Sequence, residues 1–99
     1  MDIKIKAIHF DASEKLEAFI EKKVSKLEQF YDGILVADVV LKVEKPESAK
    51  NKCASISIKI KSGDCFAEKT CDTFEEAVDT VVEALEKQLL KHKEKSKVK

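Results

Sequence analysis

Lysine carries every basic charge in this chain: 19 lysines and no arginine stand against 19 acidic residues, for a net charge of zero over 99 residues. A cluster of ammonium groups can do one kind of chemistry well, which is to contact phosphates as point charges and release the counterions condensed on them. The zero sum argues against such a role only if the charges are evenly mixed, and they are not. Drawn at about 100° per residue, Lys15, Lys22 and Lys26 fall on one flank of an apolar arc, with Glu14, Glu17, Glu21 and Glu28 on the other. Near the C-terminus the pattern returns with the same hand: Asp79, Glu83 and Glu86 on one side, Lys87, Lys91 and Lys95 on the other. Residues 72–86 hold six acids and no lysine, whereas residues 87–99 hold six lysines and one acid, Glu94. A helix dipole favours that polarity, but its effect fades within a turn. A solubilising tail is the other bland account. Lys23 stands apart because it projects from within the apolar arc, either as a snorkelling stem or as a rigidly held ammonium for a fixed phosphate.

Other chemistries find little support. His9 and His92 lie in different elements with no metal-ligand spacing around either, so no metal site is expected. His92, between Lys91 and Lys93, reads as part of the basic end. There is no glycine-rich phosphate loop, nucleophile elbow or singled-out carboxylate pair, so neither catalytic residues nor a cofactor are expected. Cys53, Cys65 and Cys71 form an odd set without a CxxC pair, which fits a reducing cytoplasm. Cys65 and Cys71 would share a sheet face about 20 Å apart at roughly 3.3 Å per residue, too far to bridge; Cys53 could approach Cys71, depending on register. No apolar run reaches the roughly 18 residues that cross a bilayer, and Met1-Asp2-Ile3-Lys4 is unlike the start of a signal peptide.

The elements that must position these lysines follow from periodicity. Ile3, Ile5 and Ala7 alternate with lysines as in a half-buried strand. From Ser13 to Tyr31, Leu16, Phe19, Ile20, Val24, Leu27, Phe30 and Tyr31 mark a helix, with Ser13 as N-cap and Gly33 as the residue after its C-cap. Ala37, Val39, Leu41 and Val43 predict a second strand, and Pro46 to Asn51 a loop. Ala54, Ile56, Ile58 and Ile60 predict a third strand; Ser62-Gly63-Asp64 is a turn leading to a fourth over 65–70. Thr73-Phe74-Glu75-Glu76 opens a second helix as a capping box, with Val78, Val81, Val82, Leu85 and Leu89 carrying it to about Lys93 or Lys95. The order is β-α-β-β-β-α, an α+β fold of one domain. Short links make the last three strands an antiparallel meander, and a right-handed crossover makes the first two parallel. A four-stranded sheet then carries two parallel helices on one face. One seam should set the lysine flank of one helix against the acidic flank of the other, leaving one basic and one acidic edge.

Three segments carry a resemblance: Lys26-Leu27-Glu28-Gln29-Phe30-Tyr31, Val39-Val40-Leu41-Lys42-Val43-Glu44-Lys45, and Lys87-Gln88-Leu89-Leu90-Lys91-His92-Lys93-Glu94-Lys95. Together they closely resemble the ribosome hibernation-promoting factor family, also called ribosome-associated inhibitor or sigma-54 modulation protein, over nearly the whole chain. The resemblance implies a fold related to the double-stranded-RNA-binding domain and no enzymatic activity. It implies binding to the small ribosomal subunit where mRNA and tRNAs would lie, blocking translation and stabilising idle ribosomes in starvation or stationary phase. By position it implies rRNA contacts from Lys22, Lys23 and Lys26 on the first helix, and from Lys87, Lys91, His92, Lys93 and Lys95 on the second. It further implies a cytoplasmic protein, monomeric when free, with no membrane, small-molecule substrate or cofactor. Residues 1–95 would form the ribosome-binding domain and 96–99 a basic tail, without the extra C-terminal domain of long-form members. Two departures stand out. Lysine replaces arginine at the basic positions, losing bidentate phosphate recognition, and the first half of helix two is acidic. The alternatives are a general double-stranded-RNA binder and a protein-interaction module using the acidic face of helix two.

Overall fold

The computed structural model describes residues 2–8, 10–43, 50–61 and 63–97, with side chains as far as His92. Its elements are β1 (Asp2–Ile8), α1 (Glu14–Ser25), a 3-10 turn (Lys26–Gln29), β2 (Ile34–Val43), β3 (Lys52–Ile60), β4 (Gly63–Cys71) and α2 (Phe74–Lys97). The sheet order is β1-β2-β3-β4. β1 pairs with β2 in parallel, Ile5 opposite Val39, and the β2–β3 and β3–β4 pairs are antiparallel. Both helices run against β1 and parallel to each other, so the expected α+β architecture is the one observed.

The core lies between the sheet and the helix layer. Ala37, Val39 and Leu41 of β2 and Ala54, Ile56 and Ile58 of β3 are fully buried, facing Ile20, Val24 and Leu27 on one side and Val78, Val81 and Leu85 on the other. Burying each of the valine, leucine and isoleucine side chains among them contributes about 1.5–3 kcal/mol before entropy is counted. Phe10, after β1, stacks on Phe74 with ring centres 5.0 Å apart, tying the start of α2 to the β1–α1 link.

Local chemistry sets the ends. The Leu16 N–H donates to Ser13 Oγ at 3.1 Å, and the Glu76 N–H to Thr73 Oγ1 at 3.1 Å, so both predicted N-caps form. The first helix departs from its expected course. Its α-helical part ends at Ser25 with Lys26 as C-cap, and the chain tightens into the 3-10 turn with Leu27 still buried. Gly33 (φ +99°) therefore is not the residue after the helix C-cap; its left-handed backbone serves the turn into β2. At the start of β2 the register slips between Ile34 and Val36. This bulge sends Leu35 to solvent and lets both Ile34 and Ala37 face the core. Val43, predicted to be inward, is exposed at the strand's end. The β3–β4 hairpin closes with Ile60 opposite Gly63, one step earlier than the Ser62-Gly63-Asp64 turn predicts, so Gly63 and Asp64 already belong to β4. The Pro46–Ala49 part of the predicted loop, His9 and Ser62 lie outside the described residues. α2 runs to Lys97, further than its apolar pattern suggests.

Candidate nucleic-acid interface

Burial fixes where each helix aims its lysines. On α1, Leu16, Ile20 and Val24 face the sheet, which leaves Lys15, Lys22 and Lys26 exposed. On α2, Phe74, Ala77, Val78, Val81, Val82, Leu85 and Leu89 face inward, which leaves Lys87 and Lys91 exposed and His92 half-buried. Lys93 and Lys95 lie in the last turns of α2, beyond the described side chains. The helices run in parallel, and Lys23 in the last turn of α1 meets Asp79 in the second turn of α2, so Lys22 and Lys26 lie beside the first half of α2 while Lys87 and Lys91 lie farther along it.

The expected seam between the helices exists, but its cation is Lys23. Its half-buried side chain passes over the Phe19 ring, 5.6 Å from Nζ to the centroid, and Nζ meets Asp79 Oδ1 at 3.0 Å across the helix pair. The stem packs and the head is neutralised by its neighbour. Lys15, Lys22 and Lys26 stay in solvent.

The opposite flank of α2 meets β4. Gln88 Nε2 donates to the Phe66 carbonyl at 2.9 Å, and the Phe66 N–H donates to Gln88 Oε1 at 3.3 Å. With Asp79 turned to α1 and Gln88 to β4, the lysine flank of α2 runs along the β4 side. Asp79, Glu83 and Glu86 lie between it and the lysines of α1. The structure thus places the candidate lysines in two groups, one at the end of α1 and one in the second half of α2, with an acidic strip between them. Sequence reasoning placed Asp79 on the acidic flank without identifying its partner. It gave Gln88 no role, because nothing in the local pattern names a strand edge as the partner of a glutamine.

Among the described residues, no helix covers the other face of the sheet. Lys4, Lys6, Lys42 and Lys59 alternate there with Asp2, Asp38, Asp64 and Glu68, and Ser55 Oγ donates to Glu68 Oε2 at 2.7 Å. Phe66 also projects from that face, 57% exposed. The three cysteines are buried thiols: Cys53 pairs in register with Thr70 and Lys52 with Cys71, so Cys53 and Cys71 lie on opposite faces. Burial first, and the Asp64 carboxylate second, push the Cys65 thiol above its ordinary pKa. Among the described residues no group of three or more His, Cys, Asp and Glu could hold a metal. No helix among them is long and apolar enough to cross a membrane.

Comparison with known proteins agrees with this architecture over nearly its whole length. Residues 3–97 match the family described as Sigma 54 modulation protein / S30EA ribosomal protein. The chain is similar to the ribosome hibernation promoting factor of Klebsiella oxytoca, 32% identical over 97 residues and 98% of each chain. It is 30% identical to that of Azotobacter vinelandii over 95 residues, 96% of this chain and 85% of the relative. Among solved structures, the Protein Y N-terminal domain of Thermus thermophilus superposes with a TM-score of 0.82 at 27% identity, covering 93% of this chain and 99% of that one. A ribosomal subunit interface protein from Coxiella burnetii gives 0.84 at 26% identity, covering 94% and 98%.

Proposed function

Because the chain belongs to the Sigma 54 modulation protein / S30EA ribosomal protein family, we propose that it is a cytoplasmic ribosome hibernation factor. In this reading it binds the small ribosomal subunit in the channel for mRNA and tRNA. It inhibits translation by occupying that channel, and it stabilises idle ribosomes in starvation or stationary phase. Residues 1–95 form the binding domain with 96–99 as a basic tail. The free protein is a monomer, and neither a catalytic step nor a cofactor is involved.

The observation that carries the reading is the placement of exposed lysines at the end of α1 and along the second half of α2, in a chain similar over nearly its whole length to hibernation promoting factors. Lys22 and Lys26 from α1, and Lys87, Lys91, His92, Lys93 and Lys95 from α2, contact rRNA phosphates in this proposal. Lys23 reaches a phosphate only by giving up Asp79. A molecule of zero net charge gains little from long-range attraction to RNA, so binding depends on local lysine groups and on shape. Lysine contributes point charges here and not the bidentate fork of arginine, so affinity is expected to fall steeply with salt.

Co-sedimentation with purified small ribosomal subunits tests the proposal. Association at low salt and release at high salt is the expected result; absence from the subunit at low salt would overturn it. Replacing Lys87, Lys91 and Lys95 together by Glu should abolish association with thermal stability nearly unchanged. Naked RNA duplexes bound as tightly as subunits would point instead to a general RNA binder.

A further inference from the structure

We infer that Gln88 is the positioning residue for the basic flank of α2, its side-chain amide holding the helix in the rotation that lays Lys87 and Lys91 along β4. The inference rests on the proposed role of those lysines and names the contact through which the fold would control them.

β4 is an edge strand, and the N–H and C=O of Phe66 would meet the C=O and N–H of a further strand if one were present. Gln88 supplies the same pair of partners from one side chain, accepting at 3.3 Å and donating at 2.9 Å. A carboxamide suits this because it presents donor and acceptor side by side. Toward the C-terminus the apolar hold on α2 thins: after Leu85, Leu89 alone among the described residues of the helix is buried and apolar. Apolar contact is non-directional and resists rolling poorly, whereas hydrogen bonds fix an angle. Lys87 adjoins Gln88, and Lys91 follows one turn on along the same flank. A lysine is a charge on a flexible stem, so its aim depends on where the helix sets its Cα.

The same clamp occupies one donor and one acceptor of the β4 edge, so its loss has a local signature: faster exchange of the Phe66 amide hydrogen. Gln88→Met keeps the side-chain length and removes both hydrogen bonds. Binding to purified bacterial small ribosomal subunits would be measured at low salt, at a temperature where circular dichroism shows each variant fully folded. Gln88→Met should weaken binding roughly five- to tenfold, equivalent to about 1–1.4 kcal/mol. Added to a Lys87→Ala/Lys91→Ala background, it should weaken binding by less than about twofold, because the residues it positions are gone. Equal losses in both backgrounds, or no loss in the first, would overturn the inference. If Lys87→Ala/Lys91→Ala itself binds as well as the parent chain, the proposed contact surface fails, a result separable from failure of the clamp alone.

Discussion

Asp79→Asn removes the carboxylate that holds Lys23 at 3.0 Å while keeping the shape of the side chain. Lys23 is 27% exposed and Asp79 56%, so water screens the pair, and bridges of this kind contribute roughly 0.2–1 kcal/mol. For a domain of this size about 1 kcal/mol moves Tm by roughly 4–8 °C, so the variant should melt lower by about 8 °C at most. The stem of Lys23 stays beside Phe19, leaving the ammonium available to a phosphate. One added phosphate contact steepens the plot of log affinity against log salt by about 0.7–0.9. Between 50 and 200 mM salt this amounts to about threefold extra loss of affinity. Calorimetry gives the first quantity, and titration of small ribosomal subunits at several salt concentrations gives the second. Destabilisation above about 2 kcal/mol would show that the pair is not the screened strut its exposure implies. An unchanged salt slope would show that freeing Lys23 from Asp79 adds no phosphate contact to the complex.

Three further outcomes test the fold and its chemistry. Ile56, fully buried at the centre of β3, should cost about 2–5 kcal/mol when replaced by Ala; urea denaturation would read this, and a loss below 1 kcal/mol would mean the core closes over the gap. Thr73→Ala should remove about 1 kcal/mol with the cap of α2, seen as a lower melting midpoint by circular dichroism, and no change would show that the cap is idle. The folded chain holds the Cys65 proton more tightly than the unfolded chain does. The stability this confers is whole below the unfolded thiol pKa of about 8.5 and declines as pH rises from there toward the folded value. Urea midpoints measured between about pH 8 and 10 should therefore fall more for the parent chain than for Cys65→Ala, and parallel curves would remove Cys65 from the account.

Period and short connections were enough to read the element order, the strand directions and the two helix caps, because each rests on side chains adjacent in sequence. The 3-10 turn at Lys26–Gln29 escaped that reading: its residues keep right-handed backbone angles and Leu27 stays buried, so the apolar spacing hardly changes. The bulge at Leu35 was hidden because an alternating pattern cannot reveal one extra residue until the partner strand is in place. For the candidate site, the flanks were legible from helical wheels, and the opposition of basic and acidic flanks followed once the helices were taken as parallel. What could not be read was which lysine crosses the seam and that Gln88 meets β4. Both depend on contacts between side chains and backbone far apart in sequence, Lys23 with Asp79 and Gln88 with Phe66.

The parallel pairing of β1 with β2 also bears on the order of assembly. Asp2 lies opposite Val36 across all of α1, whereas β3 and β4 close between Ile60 and Gly63. The entropy of closing a loop grows as about (3/2)RT ln n, so the hairpin forms at far lower cost than the N-terminal crossover. None of the residues of β1 is fully buried. These closure costs predict that the stretch from β2 to α2 forms first, as a unit with a receptive edge, and that β1 is added last. During synthesis the first strand made would wait for the second before it could pair, and amide hydrogen exchange should find β1 the first strand to open.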